Sequence, residues 1–81
     1  MKEIIMPKIY DDMQKGIIER WYKSEGDFVK KGDILFEVAT EKVSVEVESF
    51  FEGYLKKIIR KEGEEVPVEE AIGYIGDKNE K

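Results

Sequence analysis

The chain has 81 residues, of which 41% are hydrophobic and 41% charged, and its formal net charge is −5. This length supports a single domain with a small core. The chain has neither cysteine nor histidine, which excludes disulfides, thiolate nucleophiles and the metal and acid–base chemistry of those residues. Acidic and basic residues are mixed without a basic stripe, so we expect no nucleic-acid partner.

Short runs of β-branched and aromatic residues, separated by glycine or charged turns, predict an all-β domain without helices. In chain order these runs are 3–6, 16–22, 33–40, 43–49 and 53–59, followed by an apolar run at 71–76. None approaches the roughly 18 apolar residues that a membrane span requires, so no membrane partner is expected. The polar segment 78–81 predicts the start of a linker or a frayed tail, which leaves 1–77 as the domain.

An internal repeat appears when the chain is compared with itself at a spacing of 37 residues. The matching pairs are Gly16 and Gly53, Ile18 and Leu55, Trp21 and Ile58, Val29 and Val66, Leu35 and Ile72, and Val38 and Ile75. Neither half can bury both faces of its strands alone. The repeat therefore predicts two antiparallel sheets, packed as a flattened β-barrel or sandwich with pseudo-twofold symmetry.

The two halves differ in one loop. Residues 8–15 separate Pro7 from Gly16, whereas only residues 50–52 separate Ser49 from Gly53. Added loop length costs little on a compact scaffold and often serves recognition. A tolerated insertion and a recognition loop are both consistent with this difference.

Hydrophobic residues recur at every second position in two segments, one before and one after residues 41 and 42. If Glu41 and Lys42 are the central turn residues, Val38 lies opposite Val45 and Phe36 lies opposite Val47. A slip of one residue would turn one apolar face outward, so the pattern predicts a hairpin with Glu41 and Lys42 at its tip. Because Glu-Lys does not favour positive φ, we expect a type I turn.

The hairpin tip makes Lys42 the candidate functional residue. The chain has twelve lysines, and by composition alone Lys42 would be one more solvated turn residue. A stiff tip that displays a long amine also suits a covalent attachment point. At such a tip, we expect the Lys42 side chain to pack against nothing.

Other polar clusters have simpler interpretations. Asp11 and Asp12, together with Glu41, could suggest a cation site, but adjacent acids in a loop are usually solvated, so we predict no metal. Glu46 and Glu48 alternate with the inward-pointing Val43, Val45 and Val47, and are therefore expected on the outer face. Core positions are predicted for the valines and for three aromatic residues, Trp21, Phe36 and Tyr54.

Residues 37–47, EVATEKVSVEV, resemble the attachment motif of lipoyl domains from the acyltransferase component of 2-oxo acid dehydrogenase complexes. This motif has Asp-Lys-Ala at its centre, where the present chain has Glu41, Lys42 and Val43. The similarity extends from residue 2 to about residue 76. It includes the segments Met6-Pro7 and Glu25-Gly26-Asp27, and the residues Met13, Gly16, Trp21, Val29 and Gly32.

The resemblance implies two four-stranded sheets and lipoic acid joined by an amide to Lys42, with Glu41 and Val43 as turn flanks read by a lipoate-protein ligase. The domain itself would be non-catalytic, as part of a larger dihydrolipoamide acyltransferase. Its arm would carry acyl groups and reducing equivalents between a thiamin-diphosphate-dependent 2-oxo acid decarboxylase, the acyltransferase core and dihydrolipoamide dehydrogenase. A cytoplasmic location follows, or an organelle matrix if the parent protein is eukaryotic.

In the resembling family, the loop between the first two strands lies near the lipoyl-lysine turn and helps the decarboxylase select its carrier. The resemblance therefore implies partner recognition by Tyr10, Asp11, Asp12 and Met13.

Two alternatives to a lipoyl carrier remain open. One is a biotinyl carrier domain of a carboxylase, although such domains typically place methionines beside the modified lysine, and the other is an unmodified β-barrel interaction module.

Overall fold

The computed structural model describes residues 1–79, which form eight β-strands and no helix. The strands are β1 (Lys2–Ile5), β2 (Lys15–Trp21), β3 (Phe28–Val29), β4 (Ile34–Ala39), β5 (Ser44–Glu48), β6 (Gly53–Ile58), β7 (Glu65–Pro67) and β8 (Ala71–Gly76). Six of them correspond to the predicted runs. The sequence pattern does not identify β3 and β7, because strands of two or three residues are too short to show a period. Since residues 1–79 contain no helix, no helix in that range could cross a membrane.

The strands form two four-stranded antiparallel sheets, one in the order β1-β8-β6-β3 and the other in the order β5-β4-β2-β7. The 37-residue repeat aligns β2 with β6, β3 with β7 and β4 with β8 in sequence, which leaves β1 equivalent to β5. With these equivalences, the two sheets have the same strand order. The predicted all-β fold of two related sheets is confirmed.

Hydrogen bonds exchanged between the halves follow the same symmetry. The Gly26 N–H donates to the Leu55 carbonyl at 2.8 Å, and the equivalent Gly63 N–H donates to the Ile18 carbonyl at 2.7 Å. Both glycines have positive φ, 95° and 91°, a backbone conformation that side-chain-bearing residues rarely adopt. Each half therefore uses a glycine turn to bind a strand of the other half.

Within residues 1–79, twelve buried hydrophobic residues form the core, ten from the strands of both sheets and two, Met6 and Met13, from the segment between β1 and β2: Ile4, Met6, Met13, Ile18, Val29, Leu35, Phe36, Val38, Leu55, Val66, Ile72 and Ile75. The predicted core position of Phe36 is confirmed, since its side chain is fully buried. Trp21 and Tyr54 are only half-buried, which corrects their prediction. The Trp21 indole packs against the core but stays at the edge, because its Nε1–H donates to the Arg60 carbonyl at 2.8 Å.

At one pair of equivalent positions the two halves carry residues of very different size, and this difference lets the core pack. Phe36 is equivalent to Gly73 in the repeat, and its ring lies 5.2 Å from the Trp21 ring, centroid to centroid. A Cβ atom added at Gly73 would lie 3.5 Å from the Trp21 ring and 2.7 Å from the Lys57 carbonyl oxygen. The glycine thus leaves room for one large aromatic pair, which a strict repeat would not accommodate.

We predict that Gly73→Ala lowers the free energy of unfolding by about 1–3 kcal/mol, because the added methyl meets backbone that cannot move freely. Urea denaturation followed by Trp21 fluorescence measures this change. Ser44→Ala, at an exposed strand position, is the control and should stay within about 0.5 kcal/mol of the original. Equal stability of Gly73→Ala and the original chain would show that the close approach to Lys57 is not tight.

Only the beginning of the predicted tail is described. The Lys56 ammonium donates to the Lys78 carbonyl at 3.0 Å, which holds the start of the 78–81 segment against β6. Residues 80 and 81 lie outside the described residues. The domain boundary after residue 77 stays a prediction.

Candidate functional site

The hairpin formed by β4 and β5 has the predicted register. Phe36 pairs with Val47 and Val38 pairs with Val45, and the ladder continues to the pair of Ala39 and Ser44. Beyond this last pair, only residues 40–43 remain to reverse the chain. The register therefore places Glu41 and Lys42 at the hairpin tip.

The tip is closed by the Thr40 side chain, a feature that the sequence prediction omits. Its hydroxyl accepts hydrogen bonds from the N–H groups of Val43, at 3.0 Å, and Lys42, at 3.2 Å. The same hydroxyl donates to the Val43 carbonyl at 2.9 Å, and the Thr40 N–H donates to that carbonyl at 2.8 Å. Threonine at the first position of a turn is a recognised signal for such side-chain capping, and it could have identified this residue.

The backbone at the tip agrees with the predicted turn class. Among the non-glycine residues at positions 1–79, positive φ occurs only at Glu69. Glu41 and Lys42 therefore adopt negative φ, which excludes the primed turns and the type II turn and is compatible with type I. The Thr40 hydroxyl supplies the closing hydrogen bonds that Asn-Gly turns obtain from backbone geometry.

Lys42 is exposed, but its side chain has partners. Its Nζ lies 3.3 Å from Asp12 Oδ1 and 4.5 Å from the centroid of the Tyr10 ring. The expectation that this side chain packs against nothing is wrong, because the first loop reaches the hairpin tip. The Lys42 side chain nevertheless keeps 59% of its surface exposed, so the amine remains accessible.

The first loop, which we define as residues 6–14 between β1 and β2, is anchored by Met13. The Met13 side chain is 3% exposed, its N–H donates to the Tyr10 carbonyl at 3.0 Å, and its Sδ accepts the Ile9 N–H at 3.2 Å. The buried Met13 side chain therefore positions the loop, and its predicted part in partner recognition stays a prediction. Asp11 and Asp12 are exposed, and Tyr10 is half-buried against the core.

The two residues that flank Lys42 are both on the surface. Glu41 is exposed, and Val43 has 45% of its surface exposed. The prediction that Val43 points inward with the other valines of this strand is wrong, because β5 begins only at Ser44. Val45 and Val47 are half-buried, while Glu46 and Glu48 are exposed on the outer face as predicted.

The shifted pKa values of carboxyl groups fall on turns away from the tip. The Lys30 N–H lowers the pKa of Asp33 and the Lys61 N–H lowers the pKa of Glu64, in each case by a hydrogen bond to the charged form. These carboxylates fix backbone turns and need no catalytic explanation. Within residues 1–79, no group of three or more acidic side chains could hold a metal ion.

Comparisons with known proteins agree with this geometry. Residues 2–75 match the model of the biotin/lipoyl family, described as "Biotin-requiring enzyme", and the chain belongs to this family. A lipoyl domain of the 2-oxoglutarate dehydrogenase complex from Azotobacter vinelandii superimposes with a TM-score of 0.76 and 27% identity. That similarity covers 93% of this chain and 95% of the other.

Curated relatives distinguish between the biotinyl and the lipoyl members of this family. Over 78 residues, the chain is 44% identical to the dihydrolipoyllysine-residue acetyltransferase component of the Bacillus subtilis acetoin cleaving system. Over 72 residues, it is 49% identical to acetyltransferase component 3 of the mitochondrial pyruvate dehydrogenase complex of Arabidopsis thaliana. These matches cover 96% and 88% of this chain, but only 20% and 13% of the relatives. The similarity is to lipoyl domains of acyltransferase components, which favours the lipoyl interpretation over the biotinyl one.

We predict that Thr40→Val speeds hydrogen exchange of the Val43 amide by roughly five- to tenfold, because loss of one hydrogen bond costs about 1 kcal/mol. Native-state exchange followed by NMR measures this rate. Thr40→Ser keeps the hydroxyl and should exchange at close to the original rate. If Thr40→Val also exchanged at the original rate, the hydroxyl would not be what holds the tip.

Proposed function

We propose that this chain is a lipoyl carrier domain, with lipoic acid joined by an amide to the Nζ atom of Lys42. The observation that supports it best is the position of Lys42 at the tip of a hairpin whose register is set by the β4 and β5 ladder. The relatives, which are dihydrolipoyllysine acyltransferase components, support the identity of the attached group. The domain is itself non-catalytic and belongs to a larger transferase.

The residues around Lys42 fit an attached arm. The Lys42 side chain is mostly exposed, and neighbouring Glu41 and Val43 are also on the surface, so no wall encloses the amine. When attached, lipoate would supply a dithiolane that accepts an acyl group together with two electrons. The chain contributes a fixed tip, and tethering raises the effective concentration of the arm at each partner enzyme.

The proposed function involves four partner proteins. A lipoate-protein ligase reads the displayed lysine with Glu41 and Val43 beside it. A thiamin-diphosphate-dependent decarboxylase, an acyltransferase core and dihydrolipoamide dehydrogenase exchange groups with the arm, in the cytoplasm or in an organelle matrix. The surface formed by the half-buried Tyr10 and the exposed Asp11 and Asp12 lies beside Lys42, which supports a role in selection by the decarboxylase.

We predict that coexpression with a lipoate-protein ligase adds the mass of one lipoyl group, located on Lys42 by peptide mapping. Lys42→Arg should abolish the gain and leave the fold intact, because its side chain is exposed. Lys15→Arg is the matched control, since Lys15 is also an exposed lysine near the tip, paired with Glu65 at 3.0 Å. It should be modified like the original chain.

Two results would contradict the proposal. An unchanged mass would favour the unmodified interaction module, and a lipoyl group found on Lys15 or Lys23 would move the attachment site. A parallel coexpression with a biotin-protein ligase tests the biotinyl alternative. The proposal expects no mass gain in that experiment.

A further inference from the structure

The ammonium group of Lys42 lies between two side chains of the first loop, and both contacts depend on its positive charge. Asp12 forms an ion pair at 3.3 Å, and the Tyr10 ring lies 4.5 Å from Nζ, within cation–π range. Exposed ion pairs are individually weak, so this arrangement is easily reversed. Any chemistry that removes the charge of Lys42 weakens both contacts at once.

The first loop is held in place without help from Lys42. Met13 is buried in the core, its N–H bonds to the Tyr10 carbonyl, and the Tyr10 side chain packs partly against the core. Loss of the Lys42 contacts therefore leaves the loop backbone in place. What changes is the availability of the Tyr10 ring and the Asp12 carboxylate at the surface.

Attachment of an acyl group changes the nitrogen in a defined way. The ammonium first loses one proton to solvent, which gives Nζ a free electron pair. Nζ then forms a bond to the carboxyl carbon of an acyl adenylate, the bond from that carbon to the phosphate oxygen breaks, and AMP leaves with the electron pair of the broken bond. The nitrogen releases a second proton to solvent and becomes a neutral amide with a single N–H. This N–H can still donate to Asp12, but the ion pair and the cation–π contact are lost.

We infer that Tyr10 and Asp12 detect the charge of Lys42, so that the first loop presents one surface before attachment and another afterwards. This inference rests on the proposed function. Before attachment, Tyr10 and Asp12 are occupied by the ammonium group. After attachment the Tyr10 ring is free and Asp12 retains at most one hydrogen bond to a neutral amide, and both lie beside two further acidic residues, Asp11 and Glu41, in a region more negative by one charge.

The surface exposed after attachment fits a particular kind of partner. It offers an aromatic ring next to a carboxylate, which is the combination that a lysine or arginine side chain of another protein binds by the same two contacts. A partner with a basic surface that docks on the first loop would therefore bind the modified domain more tightly. In the unmodified domain, Lys42 occupies that position.

NMR spectra of four forms of the domain test the inference: unmodified, lipoylated, Lys42→Arg and Lys42→Gln. Arginine keeps the charge, and glutamine replaces it with a neutral amide without the lipoyl arm. We expect the amide resonances of residues 10–12 in Lys42→Gln to shift in the same direction as those of the lipoylated domain, while those of Lys42→Arg stay near the unmodified positions. Lys23→Gln, which removes a lysine paired with Asp33 at 3.5 Å, should leave these resonances unchanged.

A double-variant comparison gives a second, independent measurement. Asp12→Asn should move the amide resonances of residues 10–12 towards their positions in Lys42→Gln. Adding Lys42→Gln to Asp12→Asn should then shift these resonances much less than Lys42→Gln does in the original chain. Rising salt should move the unmodified domain in the same direction, because exposed ion pairs are screened.

Coincident loop resonances in Lys42→Gln, Lys42→Arg and the unmodified domain would overturn the inference. So would equal shifts from Lys42→Gln with and without Asp12→Asn. The substituted forms need no ligase, so this test can fail while lipoylation succeeds. It can also succeed if Lys42 proves not to be lipoylated, in which case only the proposed function fails.

Discussion

The antiparallel ladder between β4 and β5 is the constraint on which the site depends. Phe36 is fully buried opposite Val47, and Val38 is fully buried opposite Val45. A shift of one residue would expose these side chains and place a different residue at the tip. The free energy of core burial therefore determines which of the twelve lysines is displayed. Its position at the hairpin tip distinguishes Lys42 from the other lysines.

The two halves of the domain stabilise this hairpin together, and their differences serve the site. Equivalent glycine turns at Gly26 and Gly63 bond to strands of the opposite half, and each sheet contains two strands from each half. The symmetry is broken where Phe36 in one half is equivalent to Gly73 in the other, and where the first loop is longer than residues 49–52. The first departure fills the core. The second brings Tyr10 and Asp12 to the amine of Lys42.

Much of the fold follows from sequence periodicity, and the contacts of the site do not. Alternation over β4 and β5 specifies the hairpin register, and the 37-residue repeat specifies two related sheets, because both patterns reflect burial on one face. Short strands such as β3 carry no period. The position of Met13 in the core and the contacts of Lys42 with the first loop depend on how a loop folds over the barrel, which periodicity does not encode. The closure of the tip by Thr40 lies between these cases, since turn chemistry offers a signal for it.

The central claim is that the hairpin selects the lysine by its position, and exchange of Glu41 and Lys42 tests it most directly. The exchanged chain keeps its composition, net charge and strand pairing, and moves the amine by one place along the turn. With a lipoate-protein ligase, the rate of modification of the moved lysine should fall to the rate measured at the other exposed lysines. Modification of the exchanged chain at the original rate would contradict the account, because the ligase would then be reading a lysine near the tip rather than the position that the register sets.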